Sequence, residues 1–239
     1  MKHWILACVL VAAAAAPLRA QGPPRRSLAG YFMMGGSLLK VDDLNAQLTQ
    51  RAYAAFPDRF ISLGGGVHYV VNQAVVAGEA HALVAERASS SNGTFSSSLG
   101  GGLATLGVGY LIYEGDNLDI YPLIGAGWGS MTLDLTERSA PTFGDVLDNP
   151  QRGAHMRNSG FVVSFSLGGD YVFDAGGAND HRKGFLLGIR AGYAYAPVQN
   201  DWRLANIDLT SGPAMNVTGP FIRVMLGLGG RGRKLFGDP

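Results

Sequence analysis

The sequence predicts an all-β fold, an eight-stranded antiparallel transmembrane β-barrel with a short helix in its first long loop. Three observations predict it. Apolar residues alternate with small or polar ones in segments of about 10 residues. The connections between these segments are alternately short and long. Only 15% of the residues are charged and 35 of the 239 are glycine, so the polar coat is thin and many positions suit close packing.

Five segments alternate clearly, which indicates strands with one apolar face. They cover residues 61–72, 75–85, 161–173, 185–195 and 219–228. Three more segments have a suitable length but are interrupted by glycine: 28–39, 99–113 and 120–135. The alternation does not assign the faces of the last one. The total is eight, an even number of strands.

The connections predict which end of the barrel carries the loops. Tight turns are expected at 72–74 and 114–117, where the residues suit turns. The longer links cover 40–60, 87–94, 136–159 and 196–218, and the link at 174–184 is long for the short-turn end. In membrane barrels the short turns face the periplasm and the long loops face outward.

The first long link contains the predicted helix. Within 42–58, Leu44 and Leu48 stand at helical spacing, acidic residues begin the segment and Pro57 ends it. We expect this helix to lie across the mouth or the flank of the barrel.

The first twenty residues read as a signal peptide that is cleaved after Ala20, with an uncleaved anchor as the alternative. The apolar run is too short for a membrane helix of about 20 apolar residues. Cys8 is the only cysteine and falls in this segment, so the mature chain is expected to have no disulfide. We therefore expect one barrel domain at 21–239, with its strands within 28–228 and a short basic tail at 229–239.

The composition of the second strand face indicates a membrane barrel. A soluble lipocalin-like barrel turns its apolar face inward and needs a charged exterior. Here the second face is mostly Gly, Ser and Ala, which suits a narrow, filled interior instead. Aromatic residues near the strand ends are interpreted as an interfacial girdle. They are Tyr31, Phe60, Tyr69, Tyr113, Tyr121, Tyr171, Phe173, Phe185, Tyr193 and Tyr195.

The charged residues on the small-residue face form the candidate site. They are Glu79, His81, Asp170, Arg190, Arg223 and His68. If all six point into a narrow lumen they must pair, because an unpaired buried charge is very costly. We expect a structural polar network; a proton or ion pathway and chance orientation are the alternatives.

At this point the sequence resembles the small eight-stranded outer-membrane barrels, such as the transmembrane domain of outer-membrane protein A and protein X. The resemblance covers 28–228 and includes Tyr121-Pro122 with Gly125 and Gly127. The last strand, from Gly219 through Ile222 and Val224, is similar to the signal that the barrel assembly machinery recognises, but a basic tail replaces the usual terminal aromatic. The resemblance implies Gram-negative outer-membrane localisation, a lumen plugged by ion pairs, and no peptidoglycan-binding domain.

Some barrels of this kind are lipid-modifying enzymes with a His–Ser pair or a similar triad. Here His68 and His81 fall on the inner face, while His155 and His181 fall in connections, and no serine makes a convincing pair. We expect no catalytic residues, no metal site and no cofactor.

The sequence predicts that the loops carry the functional role of the protein. Eight strands leave no large pore, and a formal charge of +1 excludes a global field that would recruit nucleic acid. We expect a structural, adhesive or ligand-binding role for the loops, with 136–159 and 196–218, including Trp202, as the first places to examine. The expected partners are outer-membrane lipid and lipopolysaccharide, and the barrel assembly machinery during biogenesis. The chain is expected to be a monomer.

Overall fold

The computed structural model describes residues 26–85, 88–89, 95–115, 117–137, 142–148, 153–174 and 181–232. The predicted signal peptide at 1–20 lies outside the described residues and stays a prediction. No helix in the described part of the chain is long and apolar enough to cross a membrane.

Eight strands form one closed antiparallel barrel. They are β1 (Arg26–Leu38), β2 (Arg59–Val71), β3 (Ala74–Val84), β4 (Phe95–Tyr110), β5 (Leu118–Glu137), β6 (Gly153–Asp174), β7 (His181–Gln199) and β8 (Gly219–Gly232). Each strand pairs with the next, and β8 pairs with β1, where Met33 lies opposite Met225. Short strand pieces lie at 88–89, 113–114, 203–204 and 207–208. The described helices are α1 (Asp42–Thr49) and α2 (Phe143–Asp148).

The alternation along each strand decides which side chains face out. Apolar side chains on the outer face are exposed, among them Leu28, Phe32, Leu63, Val67, Val76, Leu106, Val108, Ile124, Phe165, Leu187, Ile189, Ile222 and Val224. The opposite face is buried, and on β5, whose faces the sequence left open, Tyr121 and Leu123 point in while Trp128 points out. A continuous apolar exterior around a closed sheet is the arrangement of a membrane barrel.

The hairpin from β2 to β3 has the predicted tight turn, at Asn72–Gln73. Asn72 has a φ of 57°, in the left-handed region that asparagine tolerates better than most residues. The backbone N–H of Leu111 donates to the carbonyl of Gln73 at 2.8 Å, which ties this turn to the end of β4.

Several strands are longer than predicted. β5 runs to Glu137 and β6 begins at Gly153, so much of the link predicted at 136–159 is strand. β7 continues to Gln199, and β8 continues to Gly232 through the first residues of the predicted basic tail. Backbone hydrogen bonds between strands form whether or not the side chains alternate. The strands therefore continue beyond the segments in which one face is apolar.

The first and last long loops fill the upper part of the barrel. Leu44 and Leu48 of α1 pack in one apolar cluster with Trp202, Met215 and Val217 of the connection between β7 and β8. Inward side chains of the barrel complete this cluster: Phe60, Leu83, Leu99, Leu103, Met131, Leu133, Val162, Ala194 and Phe221. We call this cluster the upper plug. The predicted helix therefore exists, and it lies inside the barrel mouth.

The girdle prediction is wrong for Tyr31, Phe60 and Tyr121, which point inward and are buried. Their aromatic type alone suggested the girdle, although Phe60 shares the buried face of Ser62 and His68 on β2. Other aromatic side chains are exposed on the outer face: Tyr69, Tyr113, Trp128, Phe161, Tyr171, Phe173, Phe185, Tyr193 and Tyr195.

Candidate functional site: the polar lumen and the outer rim

All six residues of the candidate network point into the lumen. His68, His81, Asp170, Arg190 and Arg223 are buried, and the Glu79 side chain is only 7% exposed. The inward positions of five different strands, β2, β3, β6, β7 and β8, supply them. Closure of the sheet brings them to one level of the barrel, where Arg190 and Arg223 lie opposite each other on β7 and β8.

Arg190 is at the centre of the network, with 1% of its side chain exposed. Its Nη1 forms an ion pair with Oε1 of Glu79, and its Nη2 donates to the hydroxyl of Tyr121 at 2.6 Å. The Tyr31 hydroxyl donates to the same Glu79 oxygen at 3.1 Å. The arginine is therefore held by a carboxylate and a tyrosine hydroxyl, and a second tyrosine supports that carboxylate.

Asp170 extends the network toward the short-turn end. The Tyr121 hydroxyl donates to its Oδ2 at 2.6 Å, and the same oxygen lies 3.5 Å from Nδ1 of His68. The His68 ring also lies between Tyr31 and Tyr121, with centroid distances of 5.5 and 5.9 Å. Tyr121 thus connects a buried cation with a buried carboxylate.

Arg223 joins the network through His81. Nη1 of Arg223 lies 3.2 Å from Nε2 of His81, which lies 3.4 Å from Oε2 of Glu79. Nε of Arg223 donates to the Ser62 hydroxyl at 3.1 Å. Its guanidinium also lies 4.0 Å from the centre of the Phe221 ring, an arrangement that suits a cation–π contact.

Sequence reasoning missed Tyr31, Tyr121 and Ser62 as members of this network. Both tyrosines looked like girdle residues, and a single serine on a face rich in serine carries no signal. The phase of β5 would have identified Tyr121, since Leu123, Gly125 and Gly127 continue its inner face.

Glycine makes room for these large side chains. A Cβ at Gly168 would lie 2.9 Å from ring atoms of Tyr121, and a Cβ at Gly188 would lie 2.7 Å from Oδ1 of Asp170. Both distances are shorter than a carbon atom tolerates. The many glycines on the inner face therefore fit a lumen that is filled by a few long polar side chains.

Apolar clusters enclose the network. The upper plug lies toward the loop end, and two smaller clusters lie toward the short turns, one around Met33 and Met225 and the other around Val75 and Leu111. Among the described residues, no group of three or more His, Cys, Asp or Glu is placed to hold a metal ion. The arrangement can keep charges paired and block the lumen.

The outer rim above the long-loop end carries a second polar group. Nδ1 of His155 pairs with Oδ1 of Asp134 across β5 and β6, and both side chains are well exposed. His155 lies on β6 and His181 at the start of β7, which corrects their expected places in connections. Trp202, in the loop that the sequence marked for examination, is 4% exposed and donates from Nε1 to the Pro213 carbonyl at 2.8 Å.

No family model matches the chain, and no curated protein matches it. Solved structures match most of the chain. Ail, the attachment invasion locus protein of Yersinia pestis, is 14% identical with a TM-score of 0.39, and the match covers 88% of this chain and 99% of Ail. Neisserial surface protein A is 12% identical with a TM-score of 0.32, covering 90% and 100%. The outer membrane protease OmpT from Escherichia coli is 10% identical with a TM-score of 0.35, covering 90% and 99%.

The chain folds as a small outer-membrane-type β-barrel. At these identities and TM-scores the likeness says nothing about function. The assignment of the fold rests on the barrel's own closed strand pairing and apolar exterior.

Proposed function

We propose that this chain is a monomeric outer-membrane protein with a sealed lumen, whose structural, adhesive or ligand-binding role is carried by its extracellular loops. The observation that carries the proposal is the distribution of side chains, with apolar residues outside and a filled polar interior.

The exterior suits lipid and is unsuited to water. Leu106 is 75% exposed and Phe165 49%, and similar residues surround the barrel. In hydrocarbon an unpaired backbone polar group costs several kcal/mol, and closure of β8 onto β1 removes the sheet edges. A lipocalin-like carrier needs the opposite arrangement, with the apolar face turned toward a central ligand.

The filled lumen argues against a conducting pore. An eight-stranded barrel has an interior only wide enough for side chains. Here Arg190, Tyr121 and Arg223 occupy its middle, and the upper plug occupies its loop end. A role that depends on solute passage through the lumen has no support in this arrangement.

The loop end offers an exposed apolar contact. In α2, Phe143 is 81% exposed and Leu147 67%, and they lie one turn apart on the same helix. Thr142 and Asp145 cap this short helix reciprocally, since the Asp145 N–H donates to the Thr142 hydroxyl at 3.2 Å and the Thr142 N–H donates to Oδ2 of Asp145 at 2.9 Å. A capped helix that presents two large apolar side chains supports an adhesive role.

The enzyme alternative has less support. The side chains of the His155–Asp134 pair on the outer rim are 68% and 43% exposed, so water reaches this pair freely. Incubation of the refolded protein with lipid A and phospholipid, followed by assay of released fatty acid, tests this alternative directly.

Cell fractionation and conductance test the proposal. The protein should sediment with outer membranes and should migrate faster on a detergent gel before boiling than after, because the closed barrel resists detergent. In planar bilayers it should show no stable channel current. Recovery in the soluble periplasmic fraction, or a steady open-channel current, would overturn the proposal.

The contribution of the loops is tested on the same preparation. Vesicles that display the double variant F143S/L147S should lose adhesion to an extracellular-matrix surface while the gel shift stays unchanged. Ile207→Ser, at a 69% exposed position in another loop, is the matched control.

A further inference from the structure

A groove lies on the apolar exterior of the barrel, across β6 and β7 in the half toward the short turns. It has a volume of about 630 Å³, and its lining is almost entirely apolar. Outward side chains of β5, β6 and β7 form its walls, among them Leu118, Ile120, Leu167, Tyr171, Leu187 and Ile189. The groove lies outside the barrel wall and is separate from the loops and from the lumen.

Gly169 forms the centre of the floor of this groove. It occupies an outward position of β6, between its register partners Ile120 on β5 and Ile189 on β7. A Cβ at Gly169 would meet no atom within 4 Å, so the space above this residue is open. The missing side chain between two isoleucines therefore creates the groove.

The barrel wall is thin at this place. Gly168 and Gly188 belong to the inward positions of β6 and β7, where they leave room for Tyr121 and Asp170 of the polar network. The backbones of both glycines also line the groove. A single layer of backbone therefore separates the polar network from whatever fills the groove.

The width of the groove decides which molecule can fill it. Ile120 and Ile189 are two strands apart, so about 10 Å separates their backbones before the side chains are counted. An α-helix with its side chains is about 10–12 Å across, which is too wide to reach the floor. An unbranched hydrocarbon chain is narrower than either a helix or a strand with side chains, and it can lie along Gly169.

The length of the groove corresponds to one leaflet of a bilayer. Along β6 the groove extends from Tyr171 to Leu167, about 13 Å at the rise of a strand, and one leaflet contributes about 15 Å of hydrocarbon. At the lower end, the Tyr171 hydroxyl accepts a hydrogen bond from Nδ2 of Asn117 at 3.4 Å, and Phe173 packs edge to face on Tyr171. Such aromatic and amide groups suit the headgroup boundary.

Neither water nor empty space suits the groove. An empty groove would lose the dispersion contacts of its walls. Water would find few partners, because the lining is apolar and the backbone of β6 is paired with β5 and β7. Since the groove is continuous with the apolar exterior that faces lipid, an acyl chain enters it directly from the bilayer.

We propose that this groove is a binding site for one acyl chain of a glycerophospholipid in the leaflet at the short-turn end. The chain lies over Gly169 between Ile120 and Ile189, and it covers the thin wall outside the polar network. The inference rests on the proposed function, because the groove meets acyl chains only if the barrel spans a membrane.

Photocrosslinking in lipid vesicles tests this site. The probe is a phosphatidylcholine with a diazirine in the middle of one acyl chain, present as a small fraction of vesicles of unlabelled phosphatidylcholine that contain the refolded protein. Mass spectrometry of the digested protein maps the label. Segments 167–171 and 187–191 should carry about threefold more label than the equally apolar exterior at 63–67 and 76–82.

Substitutions in the groove and outside it provide the comparison. Gly169→Leu fills the groove from its floor and should reduce the label ratio to about one. Ala191→Leu narrows the groove from β7 and should act in the same direction, so the test does not depend on the folding of one variant. The control Ala104→Leu adds the same side chain at an exposed outward position of β4 and should leave the ratio unchanged.

The possible outcomes separate the alternatives. An even distribution of label in the wild type, or an enrichment that both groove substitutions leave intact, would overturn the site. A dimer seen by chemical crosslinking in the same vesicles and abolished by Gly169→Leu would make a second copy the occupant, which also contradicts the proposal. Every variant is run unboiled and boiled on a detergent gel. A wild type without the heat-dependent shift contradicts the proposed function, whereas a normal shift with even labelling contradicts only the acyl-chain site.

Discussion

The charge and the size of single residues inside this barrel determine whether the lumen packs stably. Glu79 and Arg190 share a lumen from which water is largely excluded, so each charge depends on the other. Tyr121 fits only because Gly168 opposite it has no side chain. Both dependences can be tested by substitutions with a built-in control.

Replacement of Arg190 by Met should destabilise the barrel by about 3–5 kcal/mol, because it leaves the Glu79 carboxylate buried without its arginine. Adding Glu79→Met to this variant should recover most of the loss, since a matched apolar pair removes the unpaired charge. The measurement is the free energy of unfolding in urea with the protein in detergent micelles. Arg59→Met, at an exposed position of β2, should change it by less than about 0.5 kcal/mol. An unchanged midpoint for Arg190→Met would show that the pair does not hold the barrel together.

Gly168→Ala should cost about 1–3 kcal/mol, because the new Cβ would lie 2.9 Å from the Tyr121 ring and force it to move. Gly169→Ala is the control on the same strand. A Cβ there meets nothing within 4 Å, so stability should stay the same or rise slightly. The two variants are compared by their unfolding midpoints, and equal effects would argue against the close packing around Tyr121.

At the scale of elements, α1 depends on the barrel. A helix of 8 residues is too short to be stable alone, and its N-cap residue Val41 makes no side-chain capping bond. Burial of Leu44 and Leu48 in the upper plug holds it, and Asn45 ties it to Phe56 by two hydrogen bonds of 2.8 and 2.9 Å. The hydrophobic periodicity of this segment predicted the helix, whereas its position inside the mouth follows from the size of the lumen.

Leu44→Ala together with Leu48→Ala should loosen this helix, because each substitution removes a buried side chain at a cost of about 2–5 kcal/mol. Hydrogen exchange of the amides in 42–49 should become faster, while planar-bilayer recordings stay closed because the polar network still fills the middle of the lumen. Ala46→Gln, on the exposed face of α1, should leave the exchange unchanged. Unaltered exchange in the double variant would mean that the apolar contacts do not hold the helix.

At the scale of the whole molecule, three parts of the barrel have different surroundings: the exterior, the lumen and the strand extensions at the loop end. The apolar band of the exterior matches lipid, the lumen keeps its own polar network, and the extended β5 and β6 carry polar pairs such as Asp134–His155 into water. The outer faces of β5 and β6 are apolar along one part of their length and polar near the loop end. The apolar–polar alternation therefore stops before the strand pairing does. This explains why 136–159 reads as a loop although most of its described residues are paired strand.

The sequence by itself determined the class of the fold. Period-two alternation, abundant glycine and the order of short and long links predicted the eight strands and the lipid-facing side, because these features depend on local residue type alone. It also picked out the charged residues of the small-residue face.

Only the tertiary structure decided which of those residues meet. Barrel closure brings Glu79 of β3 to Arg190 of β7, and the register between strands sets the opposition of Arg157 and Arg203. The register between strands and the packing of the loops are properties of the closed sheet, and the alternation within a single strand encodes neither of them. The burial of Trp202 belongs to the same class, because the space left inside the cylinder decides it.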